Sequence, residues 1–342
     1  MPLSNDSKRP LWLVACIGLF AVMLLLALSM GEYPISMADI VRFAGVSLGF
    51  GSMPAAQYHL LSNILLTVRL PRTLAAALVG FALSSSGASF QAVFRNPLVS
   101  PGLLGVLAGA ACGAALAMIC GGSWWMIQIV SFAMGLLAVA LGVGIGAMFG
   151  GASIVTLMLG GIISGTAFGA ALSVIKYVAD PQDQLPSIVF WLMGSFDAAR
   201  LPQVGWLALP ILLAGVLLAF LGRALDVMSM GDDEARTLGI PVDLVRYGVI
   251  AIATLVSALS VSIAGMIGWV GLLIPHIARL LLGSSNSRLI SASALLGASF
   301  MIAADCLSRN LGRVEIPVGI VTECLGVPAF IVVLHRSRRA WR

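Results

Sequence analysis

Long apolar runs separated by short polar breaks repeat along nearly the whole chain, at 11–30, 72–92, 101–119, 125–149, 153–175, 204–222, 242–264, 272–282, 289–307 and 316–335. A bilayer-spanning helix needs roughly 20 apolar residues, and backbone facing lipid must satisfy its hydrogen bonds internally. The pattern therefore predicts an all-α polytopic membrane protein with about ten transmembrane helices and both termini on one side. The eighth run is short, and Pro275 removes a ladder donor; it predicts a stunted or tilted crossing packed inside protein. A further apolar stretch, at about 187–197, lies between Pro186 and Pro202 and is too short to span. It reads as a re-entrant or interfacial helix on the outer side.

Composition agrees with the pattern. Sixty per cent of the 342 residues are hydrophobic and 10% are charged, with a mean hydropathy of +1.05, so the bilayer is the expected solvent for most of the surface. Lys8 and Arg9 precede the first apolar run, which is longer than the roughly 7–15 residues of a signal-peptide core; a retained first helix is expected. The net charge of +5 comes without a basic face interleaved with aromatics, so nucleic acid is not an expected partner. The basic residues act instead as topology signals. With the amino terminus inside, twelve Lys/Arg fall in the cytoplasm and seven outside, and four arginines in the last seven residues are the strongest anchor. Five cysteines, Cys16, Cys112, Cys120, Cys306 and Cys324, show no paired spacing and read as small core residues, with no metal site expected.

Glycine recurs every fourth residue at Gly105, Gly109 and Gly113, at Gly142, Gly146 and Gly150, and at Gly161, Gly165 and Gly169. Each row places small residues on one helix face, where neighbouring backbones can approach closely; smooth faces of this kind also suit rigid-body rocking. No strong internal repeat and no soluble domain stand out, and the longest connections are 31–71 and 176–203. Residues 1–342 are expected to form a single membrane domain.

Catalytic chemistry is missing from the residue inventory. A phosphate-cradling loop ends in Gly-Lys-Ser/Thr, yet the two lysines are Lys8 in Ser-Lys-Arg and Lys176 in Ile-Lys-Tyr. Paired metal-ligand histidines and acid/base carboxylate pairs are lacking too, so any energy from ATP has to come from a separate subunit. Ion-coupled transport needs ionisable groups inside the membrane, and Asp305 and Glu323 are the candidates. An ion-coupled secondary transporter using these two is the alternative reading, against local pairing of Asp305 with Arg309 four residues on.

The most distinctive polar segment, at about 226–241, holds Asp232, Asp233 and Glu234, then Ala235, Arg236, Leu238 and Gly239. Acidic residues at a helix start suit the macrodipole, and Gly239 followed by Pro241 supplies a stop. A cytoplasmic helix of about two turns is expected, presenting Ala235 and Leu238 beside charged groups, as a solvated connector or as a docking element.

The run Arg69-Leu70-Pro71-Arg72-Thr73-Leu74-Ala75, then Gly87 and Gln91, then Arg95-Asn96-Pro97-Leu98-Val99-Ser100-Pro101-Gly102, closely resembles the permeases of type II ABC importers, which take up iron siderophores, haem and cobalamin. Gly268-Trp269-Val270-Gly271-Leu272, Pro275-His276 and Arg279 look like that family's motif around its short eighth helix, and Glu315-Ile316-Pro317-Val318-Gly319 looks like the lead-in to its tenth. The resemblance covers residues from about 65 to the end. It implies ten helices per subunit, a second permease copy, two cytoplasmic ATPases carrying ATP-Mg, a periplasmic binding protein, and no cofactor bound by this chain. It also implies that 231–241 is the coupling helix docked into the ATPase, and that Arg69, Arg72 and Arg309 face acidic residues of the binding protein. The stretch 151–160 aligns with the family's cytoplasmic gate, where Ile154 and Val155 replace the small polar residues expected there, with Ser153 and Thr156 adjacent; a hydrophobic constriction is the form that gate takes. The segment 180–196 is similar to a branch holding both iron and molybdate/tungstate permeases, and an iron chelate is the leading cargo expectation.

Overall fold

The computed structural model describes residues 9–31, 33–150, 153–312 and 314–337. Lys8, Arg313 and the arginines at 338, 339 and 342, used above as topology signals, lie outside the described residues, as do positions 151 and 152 of the gate stretch. The helices in chain order are α1 (Arg9–Ser29), α2 (Met37–Ser47), α3 (Ala55–Ser62), α4 (Leu70–Val93), α5 (Val106–Ile119), α6 (Trp124–Gly150) and α7 (Ile154–Val178), followed by α8 (Gln184–Leu192), α9 (Leu201–Met228), α10 (Asp232–Thr237), α11 (Val242–Ala264), α12 (Val270–Leu282), α13 (Asn286–Asn310) and α14 (Val318–Ser337). No strand occurs among the described residues.

All ten apolar runs are helical. Among the described residues, seven helices are long and apolar enough to cross a membrane, and Val106–Ile119, Val270–Leu282 and Val318–Val333 are shorter apolar helices. The second run differs from expectation, because its helix extends back without a break to Ala55 and makes a 39-residue span. A π-helical stretch, Asn63–Arg69, joins α3 to α4. It widens the ladder directly ahead of Pro71, whose nitrogen has no proton to give. Helices α2 and α3, inside the connection 31–71, were not expected.

Helix α4 is the axis of the molecule. Nineteen of its 24 residues are buried, among them Ser84, Ser85, Ser86 and Ser89, whose small side chains let neighbours close in. Its first half packs with α12 and α13, through Val79, Leu83, Ile274 and Met301. Its second half packs against α9 and α11, through Phe90, Val93, Leu225 and Val249. At two crossings the contact is backbone on backbone: a Cβ on Gly87 would overlap the Gly271 carbonyl of α12, and one on Gly80 would overlap the Gly297 carbonyl of α13. The glycine rows serve the same purpose. Gly109 and Gly113 face α6 at Met134 and Val130, and Gly142 meets Gly160 and Gly161 of α7. Gly169 has no atom within 4 Å of where a Cβ would sit, so its row ends in open space.

Gly87→Ala is expected to destabilise the fold by about 1–3 kcal/mol, the usual cost of overpacking, despite the better helix propensity of alanine. Gly144→Ala in α6, where a Cβ meets nothing within 4 Å, is the matched control and should be neutral or slightly stabilising. Thermal unfolding of the two variants side by side checks this; equal midpoints would remove the close-approach argument.

The short eighth crossing is as expected. Helix α12 has 13 residues, or about 20 Å at 1.5 Å per residue, against a hydrocarbon thickness of about 30 Å. Pro275 is buried within it. The missing length is non-helical backbone at 265–269, tolerated at membrane depth only when protein covers it. Ser195 N–H donates to the Ala264 carbonyl at 3.0 Å, while Val318 and Gly319 N–H donate to the Gly194 and Met193 carbonyls, each at 3.1 Å. The turn after the short helix α8 is thereby stitched to the end of α11 and to the start of α14.

Candidate functional site

Charged side chains gather at the two ends of α4, and the helix directions show that these ends are opposite faces of the protein. At the starting end lie Arg69 and Arg72, the residues after α8, the last turn of α13 and the lead-in to α14. At the finishing end lie Arg95, the end of α9, all of α10 and the start of α11 and α13.

At the starting end, Arg72 is the hub. Its Nε donates to Asp305 Oδ1 at 2.8 Å, and its Nη1 donates to Asp197 Oδ1 at 2.7 Å and to Glu315 Oε2 at 2.8 Å. Arg309 Nε lies 3.1 Å from Asp305 Oδ2, an ion contact without hydrogen-bond alignment. Arg69 donates to the carbonyls of Leu28 at 2.6 Å, Ser29 at 3.1 Å and Tyr33. Arg69 and Arg72 are 4% and 7% exposed, and the Arg309 side chain is 8% exposed. The expected cationic rim is therefore not what these residues form. Inside an apolar bundle an unpaired guanidinium is costly, so the three fold inward onto carboxylates and carbonyls, and the outward-facing charges are instead the half-exposed Asp197 and Glu315. The structure does bring Arg72 and Arg309 together on one carboxylate. Asp197 and Glu315 were missed as their partners, since nothing local in the sequence couples positions 125 and 243 residues apart. The two candidates for ion coupling part company here: Asp305 is buried between two arginines, as local pairing anticipated, whereas Glu323 is exposed on α14.

At the finishing end, α10 is six residues long, shorter than the two turns expected. Asp232, Asp233 and Glu234 occupy its first turn, where the macrodipole favours them. Gly239, at φ +83°, closes it: Gly239 N–H donates to the Arg236 carbonyl and Ile240 N–H to the Ala235 carbonyl, each at 3.0 Å, the paired bonds of a Schellman cap. Ala235 is fully buried against Leu225, Met228 and Val242, which corrects the expectation that it is presented outward; it is the peg that seats the helix. Leu238 is 61% exposed and Met230 67% exposed, and Leu244 is exposed beside them. Asp233 projects into solvent, bridged to Arg236 at 3.2 Å.

Asp232 locks this element to the bundle. One carboxylate oxygen bonds Arg95 at the end of α4, and the other accepts from Arg246 of α11 at 2.6 Å. Burial alone would raise the Asp232 pKa, but the bonds and charges of Arg246 and Arg95 outweigh it and hold the carboxyl below its ordinary value. The clamp is thus complete above the ordinary carboxylate range and loosens only as pH falls through that lowered value. Arg246, 1% exposed, was not singled out from the sequence; its i,i+3 spacing from Asp243 (3.6 Å in the structure) was the available signal.

The remaining motif residues brace the same end. Arg95 takes φ +48°, and Asn96 Oδ1 accepts from Leu98 N–H at 2.9 Å, a turn at whose middle position Pro97 fits naturally. Arg279 of α12 donates to Gln91 Oε1 at 2.9 Å, and the His276 ring packs against Phe330 at 5.9 Å. Ser153 precedes α7, Ile154 is partly buried, Val155 is 63% exposed, and Thr156 Oγ1 donates to the Ser153 carbonyl at 2.9 Å. These four stand at the end of the protein that carries α10.

Crossing helices joined by glycine contacts, ionic clusters at the two ends of α4 and an acidic helix seated at one of them define a polytopic membrane protein. The chain belongs to the FecCD transport family, whose match covers residues 19–336, and is a permease subunit of an ABC importer. It is 34% identical over 321 residues to the molybdate import system permease protein MolB of Haemophilus influenzae, covering 94% of each chain. It is 37% identical over 278 residues to a probable iron chelatin transport system permease protein of Helicobacter pylori, covering 81% of this chain and 84% of that one. A solved ABC transporter in an inward-facing conformation, described as of metal-chelate type, superposes with a TM-score of 0.85 at 34% identity, covering 96% of this chain and 99% of that one. Further relatives are named for hemin and cobalamin import. As a multi-pass ABC permease, the protein resides in the inner membrane.

Proposed function

We propose that two copies of this chain form the central path of an ATP-driven importer for an iron chelate, with the amino terminus and α10 on the cytoplasmic side. The chain hydrolyses nothing itself: ATP-Mg is held by separate ATPase subunits, and α10 is the element they push. The observation that carries this reading is α10 itself, rooted by buried Ala235 and by the Arg95–Asp232–Arg246 clamp while Met230, Leu238 and Leu244 are left on the surface. An apolar patch on a rigid, charge-anchored base suits helix-in-groove docking and transmits force along α4 and α11. Val155 and its neighbours at 153–156 then stand on the cytoplasmic face as a hydrophobic constriction. On the outer face a periplasmic binding protein docks against the surface that carries the half-exposed Asp197 and Glu315, whose charges set orientation and on-rate more than affinity. Relatives named for iron chelates, hemin and cobalamin favour a chelate over molybdate, although MolB shows that oxyanion import also occurs on this scaffold.

Affinity purification of the tagged chain from its native membranes is expected to bring down a Walker-motif ATPase and to leave ATP-dependent uptake of a labelled ferric chelate after reconstitution. Recovery without an ATPase would overturn the importer reading, and uptake of labelled molybdate in preference to the chelate would overturn the cargo.

A further inference from the structure

A groove of about 850 Å³ opens at the α10 end between α1, α9, the end of α12 and the start of α13. Its walls are apolar, including Trp12, Phe220 and Leu281, and its polar rim holds Arg223, Arg288 and Ser291. The two arginines are exposed, and no carboxylate bridges either of them among the described residues. That sets them apart from Arg72, Arg95, Arg236, Arg246 and Arg309, all of which are ion-paired. The nearest carboxylate along α9, Asp226, is committed elsewhere: it accepts from Asn286 N–H at 2.5 Å, from Ser285 Oγ at 3.0 Å and from Ser287 N–H at 3.3 Å. It therefore caps α13 and reduces the positive charge of the groove without cancelling it.

We propose that this groove binds an anionic diacyl phospholipid of the leaflet on the α10 side, the cytoplasmic leaflet if the orientation proposed above holds. Three observations specify the occupant. The groove lies beside α1, of whose span only 11% is buried in the protein, so it faces lipid rather than the interior. Two free guanidiniums at the level where the helices end match a phosphodiester, because arginine forks bind phosphate oxygens bidentately. Trp12 sits near the start of α1, at the depth where indole rings favour the membrane interface, and Phe220 and Leu281 continue the apolar wall toward the acyl region. Basic pockets between transmembrane helices at a cytoplasmic face are suited to anionic headgroups. The lipid would bridge the peripheral helix α1 to α9 and α13, and so link the loosest span to the helix that leads into α10.

The test compares the purified full-length chain with an Arg223→Gln/Arg288→Gln variant in detergent. Binding of phosphatidylglycerol and of phosphatidylcholine is read by native mass spectrometry and by the thermal midpoint. The wild type should retain phosphatidylglycerol selectively and gain a higher midpoint from it. Each surface arginine is worth about fivefold in anionic-lipid binding, so the double variant should lose roughly thirtyfold. An Arg223→Lys/Arg288→Lys variant, keeping the charge, should recover most of that loss and shows that the glutamine variant has not simply misfolded. Equal retention of both lipids by the wild type, or undiminished retention by the glutamine variant, overturns the proposal. So does a midpoint shift reproduced by inorganic phosphate, since that would assign the groove to a free anion. Neither readout involves an ATPase or cargo, so failure here leaves the importer reading standing, and the reverse holds as well.

Discussion

Asp305→Ala is expected to lower the stability of the purified permease by about 3–5 kcal/mol, the cost of removing one member of a buried ion pair and stranding its partner. Here Arg309 is the partner stranded. Arg72 would keep the half-exposed Asp197 and Glu315, but Arg309 would lose its carboxylate inside the bundle. By contrast, Asp197→Ala and Glu315→Ala should each cost at most about 1 kcal/mol, because their carboxylates are nearly half exposed and water screens the pair. Thermal unfolding followed by tryptophan fluorescence gives the order; three equal effects would mean that burial of Asp305 is not what makes it costly. The same residue bears on transport. If Asp305 serves structure, uptake per folded transporter should survive in Asp305→Asn, and a proton-coupled role would show as loss of uptake without loss of fold.

The second large effect is expected at the surface of α10. Replacing Met230 and Leu238 together with alanine should weaken ATPase association about thirtyfold or more, since a central apolar anchor at an interface is worth about 2 kcal/mol or more. Uptake should fall in step while the melting midpoint stays within a degree or so of wild type, because both side chains project away from the bundle. An Ala235→Asp change would be a poor substitute: Ala235 is fully buried, and loss of uptake there would only report an unseated helix. Normal uptake and normal ATPase recovery with the double alanine variant would remove α10 as the power-stroke contact and move attention to Leu244 and the start of α11.

Much of the candidate site could be located before it could be described. The acidic start and glycine stop of α10 follow from local chemistry, so Asp232, Asp233, Glu234 and Gly239 stood out on their own. The motif around Arg69 and Arg72 and the one at Pro275, His276 and Arg279 carried the family resemblance, which the match over residues 19–336 bears out. The direction in which the arginines point was not legible. A guanidinium near the end of an apolar helix can reach outward to a partner or turn inward to a carboxylate, and the choice depends on residues far along the chain.

The division has one physical cause. Lipid forces each apolar run to satisfy its own backbone, so the helicity of the ten apolar runs, the shortness of α12 and the placing of charge at helix ends are local properties that the order of residues already determines. Close approach along the glycine rows is likewise a property of one face of one helix. Which carboxylate meets which arginine is set by how helices cross. Arg72 reaches Asp305 across 233 positions and Arg95 reaches Asp232 across 137, and only the packing of α4 against α13, and of its far end against α10 and α11, brings those pairs within bonding distance. The tertiary structure alone therefore decided that Arg69, Arg72 and Arg309 are braces rather than a rim, that Ala235 is a peg, and that no carboxylate among the described residues bridges Arg223 or Arg288 beside the groove along α1.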